Sequence, residues 1–401
     1  MDKLFYQKKA SVLLVATFIS LSGLSQIKLS SDSSSSQKKF QLNAIVISNY
    51  AVSLNKQTDI ESGVHNIKSD SGVVNNTFSF RYIRVQGIFN LNEQIEGNIL
   101  VNFAELKNAG ADFHKVIENA YVRYKFYKDG YLNFQIGQFR PFTQIEDLYS
   151  VQFHKSNYWS NQYTALAGSN WTSFQVGAAL TGSLKKKKIP LNYYLTVWNG
   201  NGRVVTSVNS TTQTNGDNDN NKNIALRLEY EPVKDVVLGA ANASTKFQGK
   251  GLNSFFTDIK AKHTFNKKWE GEFELSYFNG NDVSAIMNKI GSGTPVCNVN
   301  FADYKMNGFY AIPLLRYNNS SKRSFIKSTE FTCRYEYLKQ DVSANNPRTT
   351  ITPMVNFNLS ENYGMRVELF GIINVYKTQV TTSNSSVYNC NQIAAQFQFF
   401  F

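Results

Sequence analysis

The residues best suited to catalysis or metal binding are few and scattered. The chain carries four histidines, His65, His114, His154 and His263, and three cysteines, Cys297, Cys333 and Cys390. A zinc site takes such ligands at short, repeated spacings. None of these residues stands in that relation to another. Asp217, Asp219 and Asn221 imitate the opening of a calcium loop, but Lys222 occupies the position where the turn requires Gly, and no Glu closes the loop. There is no Gly-x-Ser-x-Gly elbow, and no Ser, His and acid are arranged as nucleophile and base. Asn199-Gly200-Asn201-Gly202 is a turn signal, since no helix follows it to receive a phosphate. Enzymatic chemistry, a metal and a cofactor are therefore not expected.

Charge is what the sequence supplies in quantity: 42 Lys and Arg stand against 29 Asp and Glu, a formal +13. It accompanies 30 Phe and 22 Tyr, only 7 Pro and 42% hydrophobic residues, at a mean hydropathy of −0.33. So much apolar surface excludes a disordered chain. The low mean hydropathy, and the lack of a long apolar run beyond residue 25, exclude a bundle of membrane-spanning helices.

The first segment reads as an address. Lys3, Lys8 and Lys9 precede an apolar stretch, 10–24, that is short for a bilayer span, and Gly23 and Ser25 put small residues where a signal peptidase reads. The pattern predicts a signal peptide over 1–25, followed by a polar Ser/Lys-rich segment over 26–39. No Cys follows the predicted cleavage site, so a lipid anchor is not indicated. Loss of 1–25 removes three Lys and one Asp and leaves the chain at +11, so export does not account for the basic excess. In an oxidising compartment, Cys297 and Cys390 are placed in polar loops from which one disulfide could form, with three free thiols as the alternative. The run Lys185, Lys186, Lys187, Lys188 falls in a short turn as a solvated rim, and an exported chain has no nucleic acid to meet.

From residue 40 onward one pattern repeats: segments of about ten residues alternate apolar and polar with the two-residue period of a β-strand. Ile393, Ala395, Phe397, Phe399 and Phe401 share one face of the last segment, with Gln392, Gln396 and Gln398 opposite. Trp269, Gly271, Phe273, Leu275 and Tyr277 form such a row, as do Met365, Val367, Leu369, Gly371, Ile373 and Val375. Sixteen segments of this kind are predicted, the sixth over 171–184, and their connections alternate long and short. Strands cross a bilayer only as a closed sheet, because hydrocarbon offers no partner for an unpaired N–H or C=O. Outer-membrane barrels keep short turns on one rim and long loops on the other. The reading is therefore an all-β, antiparallel up-and-down transmembrane barrel of about sixteen strands over 40–401, in the outer membrane of a Gram-negative bacterium.

With the apolar rows facing lipid, the opposite rows carry Arg84, Arg123, Lys125, Arg227, Lys260, Lys262, Arg334 and Arg366 inward. Glu96, Glu229, Asp258, Glu270, Glu272, Glu274, Glu330, Glu336 and Glu368 go with them. A Lys or Arg on the lipid face at the midplane would cost roughly 2–4 kcal/mol. A wall of both signs is expected to neutralise itself in cross-strand pairs, leaving at most a weak anion preference from the basic excess.

Several stretches resemble the phosphate-selective porins O and P and their Bacteroidetes-type relatives. They are Phe80-Arg81-Tyr82-Ile83-Arg84-Val85-Gln86-Gly87, Asn119-Ala120-Tyr121-Val122-Arg123-Tyr124, and Ile136-Gly137-Gln138-Phe139-Arg140-Pro141-Phe142 with Glu146-Asp147-Leu148. Tyr194-Leu195-Thr196-Val197-Trp198-Asn199-Gly200-Asn201-Gly202, Asn218-Asp219-Asn220-Asn221-Lys222 before Arg227, and Arg334-Tyr335-Glu336 complete the series, and their order along the chain carries the likeness. The resemblance implies a sixteen-stranded, usually trimeric channel whose long third loop folds inward to narrow the pore. That loop corresponds to 139–170 and brings Arg140, Glu146, Asp147, His154 and Lys155 to the constriction. Phe401, an aromatic closing the last strand, resembles the signal read by the barrel-assembly machinery.

The function expected is a passive, water-filled pore for small hydrophilic solutes or anions, with outer-membrane lipid around it. The competing readings are a non-conducting barrel used in adhesion or as a subunit of an uptake or secretion assembly, and a barrel-type lipid hydrolase. The hydrolase would need a nucleophile and base near the rim, which the sequence does not offer.

Overall fold

The computed structural model describes residues 39–60, 63–66, 73–106, 116–156, 158–200, 202–203, 221–247, 249–321, 324–340 and 345–401. The predicted leader and polar segment up to residue 38, His114, Asp217 and Asp219 lie outside the described residues.

Sixteen antiparallel strands follow the chain: β1 (Lys39–Ser53), β2 (Asn76–Asn90), β3 (Ile95–Asn102), β4 (Ile117–Lys125), β5 (Asn133–Phe139), β6 (Gln175–Ser183), β7 (Leu191–Trp198) and β8 (Asn223–Val233). They continue as β9 (Val236–Phe247), β10 (Lys250–Thr264), β11 (Trp269–Asn281), β12 (Lys305–Asn318), β13 (Ser328–Lys339), β14 (Arg348–Asn358), β15 (Met365–Tyr376) and β16 (Gln392–Phe400). Each strand pairs with its sequence neighbours, and β1 also pairs with β16, with Val46 opposite Phe399 and Ser48 opposite Phe397. The sheet is therefore a closed barrel without an edge. Ile393, Phe397 and Phe401 point outward, as do Ile99, Val122, Phe273, Leu369 and Val375, giving the outside an apolar band.

Two expectations are corrected. The sixth strand starts at Gln175, because positive φ at Asn170 and Ser173 breaks the extended backbone that 171–174 would need. The alternation of long and short connections fails between β9 and β10, where the ladder runs on until Phe247 pairs with Lys250, and Gly249 takes the positive φ of a tight turn. Of the two alternatives left open for the cysteines, one disulfide or three free thiols, the structure has the second: Cys297, Cys333 and Cys390 are all free.

Two β-bulges break the two-residue period. In the β1–β2 ladder Ile47 faces Tyr82 and Ser48 faces Phe80, leaving Arg81 as the extra residue. In the β3–β4 ladder Leu100 faces Asn119 and Val101 faces Ile117, leaving Glu118 extra. A bulge re-aims side chains. Here Glu118 and Arg84 both turn into the lumen and pair at 2.7 Å, while Arg81 and Tyr82, adjacent in sequence, line the interior together.

The interior is also less wet than strict alternation predicts. Tyr310, Ile312 and Leu314 on β12, and Ile45 and Ile47 on β1, face inward and are buried. They are covered by chain that folds into the barrel. One covering segment is the connection between β5 and β6, with 3₁₀ turns at Ile145–Leu148 and Val151–Phe153 and the helix α1 (Asn161–Gly168). The other lies between β11 and β12, where the helix α2 (Val283–Gly291) buries Ile286 against a cluster that includes Phe256, Phe278 and Met306.

Candidate functional site

Most wall charges are neutralised by neighbours on the same strand or one or two strands away. Arg227 gives both terminal nitrogens to Asp258, at 2.7 and 2.8 Å, and reaches Glu229 at 3.1 Å. A Cβ at Gly239 would stand 2.2 Å from Asp258 Oδ1, so glycine there clears room for this pair. Arg123 and Lys125 share Glu96, at 3.0 and 3.2 Å. Arg316 joins Glu270, Glu272 and Glu330, and Lys262 also reaches Glu270 at 3.2 Å. Arg334 pairs with Glu336 and Arg366 with Glu368, each beside its partner on one strand face. Lys260 lies 4.7 Å above the Tyr149 ring.

Removing one partner of such a buried pair strands the other. Arg227 is 1% exposed. Asp258→Ala is therefore expected to cost about 3 kcal/mol, the low end of the range for a broken buried pair because Glu229 remains. Denaturant unfolding in detergent checks this, and a loss below about 1 kcal/mol would mean that water replaces the carboxylate.

The connection between β5 and β6 crosses the lumen and is tied to the wall nearly all the way round. Tyr158 Oη accepts a bond from Asn49 of β1 at 3.1 Å, and Trp159 Nε1 donates to Tyr82 Oη of β2 at 2.7 Å. On the far side Asn161 N donates to Glu336 of β13 at 2.6 Å, and Gln162 donates to Ser276 of β11 at 2.9 Å. Lys155 pairs with Glu272 at 2.9 Å, Arg366 donates to His154 O at 3.2 Å, and Gln398 donates to Gln152 O at 3.4 Å. Ser160 caps α1 by accepting from Tyr163 N at 3.0 Å, which fixes the aromatic pair that follows. Trp159 then stacks on Tyr163 with ring centroids 4.3 Å apart.

Two carboxylates brace the loop from within. Asp147 accepts from Thr143 N, Thr143 Oγ1 and Tyr163 Oη, at 3.1, 2.9 and 3.1 Å. Glu146 accepts from Ser160 N at 2.9 Å and also meets the Ser160 hydroxyl, while its backbone carbonyl accepts from Arg140 at 2.9 Å. Burial pushes the Glu146 carboxyl up to about 8, against the pull of the Ser160 bonds. Burial also holds His154 well below the usual imidazole range, helped by Arg140, Arg81, Arg84 and Arg334, so its ring stays neutral.

Above and below this crossing lie two cavities that share no lining residue. The one toward the short turns, about 230 Å³, is lined by Asn43, Arg84, Arg123, Arg140, Asp147 and Tyr149, among others. The one toward the long loops, about 670 Å³, is lined by Arg81, Tyr82, Tyr158, Trp159, Arg334 and Arg348, among others. Tyr82 and Trp159 line the larger cavity, and Arg84 and Arg140, which meet their rings, line the smaller one. Arg84 lies 3.9 Å and Arg81 5.1 Å from the Tyr82 ring centroid, Arg140 lies 5.2 Å from that of Trp159, and His154 meets Trp159 edge-on at 4.3 Å. Among the described arginines lining these cavities, Arg81, Arg140 and Arg348 have no carboxylate partner.

Of the five loop residues expected at a constriction, Arg140 and Asp147 line the smaller cavity and His154 touches the Trp159 ring. Glu146 is turned into the packing of the loop, and Lys155 is bound to Glu272 of the wall. Alternation alone missed Arg81 and Glu118. Their signal is a charged residue on the lipid-facing parity of a strand, where only a bulge makes it tolerable.

No protein-family model matches the chain, and no curated protein resembles it significantly in sequence. Among solved structures, the outer-membrane channel DcaP of Acinetobacter baumannii superposes with a TM-score of 0.54 at 10% identity, over 93% of this chain and 100% of that one. The fold is that of the outer-membrane porins. OmpT, an outer-membrane protein of Vibrio cholerae solved in a trimer form, gives 0.54 at 10% identity over 91% of this chain and 99% of its own. An anion-selective porin from Comamonas acidovorans gives 0.50 at 12% identity, over 91% and 100%.

Proposed function

We propose that this porin-fold chain is a passive channel of the Gram-negative outer membrane, conducting small hydrophilic solutes with a preference for anions. The carrying observation is the sealed cylinder with an apolar outside, whose only uncompensated arginines, among those lining the two cavities, flank the crossing loop. The segment 139–170 serves as the constriction, with Arg140 at its inner mouth. A homotrimer is the assembly proposed, in keeping with the trimeric form of the Vibrio structure. Kinship with the phosphate-selective porins rests on the ordered stretches from Phe80 to Glu336. Phe401, whose ring lies on the outside against Phe399, is the proposed contact for the assembly machinery.

Anion preference is tested at Arg140. Under a salt gradient across a planar bilayer, Arg140→Glu is expected to move the reversal potential toward cation preference, because a fixed negative charge replaces a positive one beside the narrowest passage. An unchanged potential would remove Arg140 from the ion path.

A further inference from the structure

The larger cavity is built differently from the rest of the lumen. Elsewhere most bases, Arg140 and Lys260 excepted, stand beside acids. Here, among the described residues, no Asp or Glu lines the cavity at all. Arg334 is matched by Glu336 on its own strand, but Arg81 and Arg348 are not matched by any carboxylate. Arg81 has instead its guanidinium 4.0 Å from the Tyr158 ring centroid and a long contact of 3.5 Å to Gln396. Arg348 donates to Tyr376 Oη at 3.2 Å, and its Nε is buried without a hydrogen-bond partner. Both arginines are therefore held by aromatic rings with much of their donor capacity unspent. The bulge in β2 puts Arg81 there, where strict alternation would have sent it into lipid.

Resting on the channel reading above, we infer that this outer cavity is a binding site for organic anions that join a carboxylate to a flat, partly apolar body. A guanidinium offers two parallel N–H groups to a carboxylate in its own plane. The aromatic lining supplied by Tyr82, Tyr158 and Trp159 suits the flat, partly apolar body of such a ligand. At about 670 Å³ the space is of the size that encloses small organic ligands, whereas inorganic phosphate would leave most of it to water.

The test is a titration of the folded, full-length barrel purified in detergent, read by tryptophan fluorescence, with benzoate, benzyl alcohol, acetate and inorganic phosphate as probes. Benzoate is expected to saturate, and the other three to require at least tenfold higher concentration for the same change. Arg81→Gln and Arg348→Gln should each raise the half-saturating benzoate concentration at least fivefold, Arg81→Lys should recover only part of the loss, and Trp159→Phe should remove most of the signal. Heat-modifiable migration on gels confirms that each variant is folded. Benzyl alcohol binding as well as benzoate, phosphate binding as well as benzoate, or folded Arg81→Gln and Arg348→Gln binding like the parent would each overturn the assignment. Fluorescence needs no current, so benzoate binding by a barrel without conductance would keep this site and discard the channel, while conductance without benzoate binding would do the reverse.

Discussion

Trp159→Ala is expected to raise single-channel conductance several-fold. The indole stands in the wall of the larger cavity: it bonds Tyr82 at 2.7 Å, stacks on Tyr163, and meets His154 edge-on. Truncation to alanine removes all three contacts and opens space from the larger cavity toward Arg140 of the smaller one, 5.2 Å from the indole ring centroid. The loop itself stays in place, since Asn161, Gln162 and Lys155 keep their ties to β13 and β11. Tyr82→Phe supplies the comparison. It deletes one hydrogen bond of about 1 kcal/mol while leaving the ring, so its effect should be much smaller. Planar-bilayer recording of both variants decides the matter, and equal conductance in parent and Trp159→Ala would place the narrowest passage elsewhere.

Closure should also respond to pH, with a sign set by two buried groups of opposite kind. In the seated loop Glu146 stays protonated up to about pH 8, whereas in a released loop it ionises near 4.5. Its contribution to seating is full below 4.5, falls with each unit above, and is gone above 8. His154 works the other way: its imidazole is neutral when seated and gains a proton near 6.5 when released, so its contribution is full above 6.5 and declines as pH falls. Between 4.5 and 6.5 the two trends oppose each other. Conductance is thus expected to be lowest in that window, to rise from 6.5 to 8, and to rise again in acid. Arg334 and Glu274 also act on Glu146, and Arg140, Arg81, Arg84 and Arg334 on His154, so neighbouring charges tune both limbs. Glu146→Gln should abolish the alkaline rise and spare the acid one. Coincident profiles for the parent and Glu146→Gln would show that this carboxyl does not govern closure.

The barrel was legible because hydrocarbon imposes one rule on every strand. Rows such as Ile393, Ala395, Phe397 and Phe399 repeat the same decision sixteen times, so errors at single ends do not alter the topology. The inward placement of charges of both signs follows from the same rule. What alternation could not convey is contact between segments far apart in sequence. Tyr310 and Ile312 are buried on the inner face because the 3₁₀ turn around Ile145 covers them, and Phe256 and Phe278 because α2 does. Their strands carry apolar residues on both faces over these stretches, which is the local mark of a sheet covered on both sides. Arg81 and Glu118 defeated the period for a different reason: a one-residue bulge reverses parity, and its position depends on the partner strand.

A hollow cylinder with flexible walls flattens easily when squeezed from the side. The chain between β5 and β6 acts as a strut across this one, joined at several points to β1, β2, β11, β13, β15 and β16. Lateral pressure from the surrounding lipid is thereby carried through the middle as well as round the rim, and the cross-section keeps its shape.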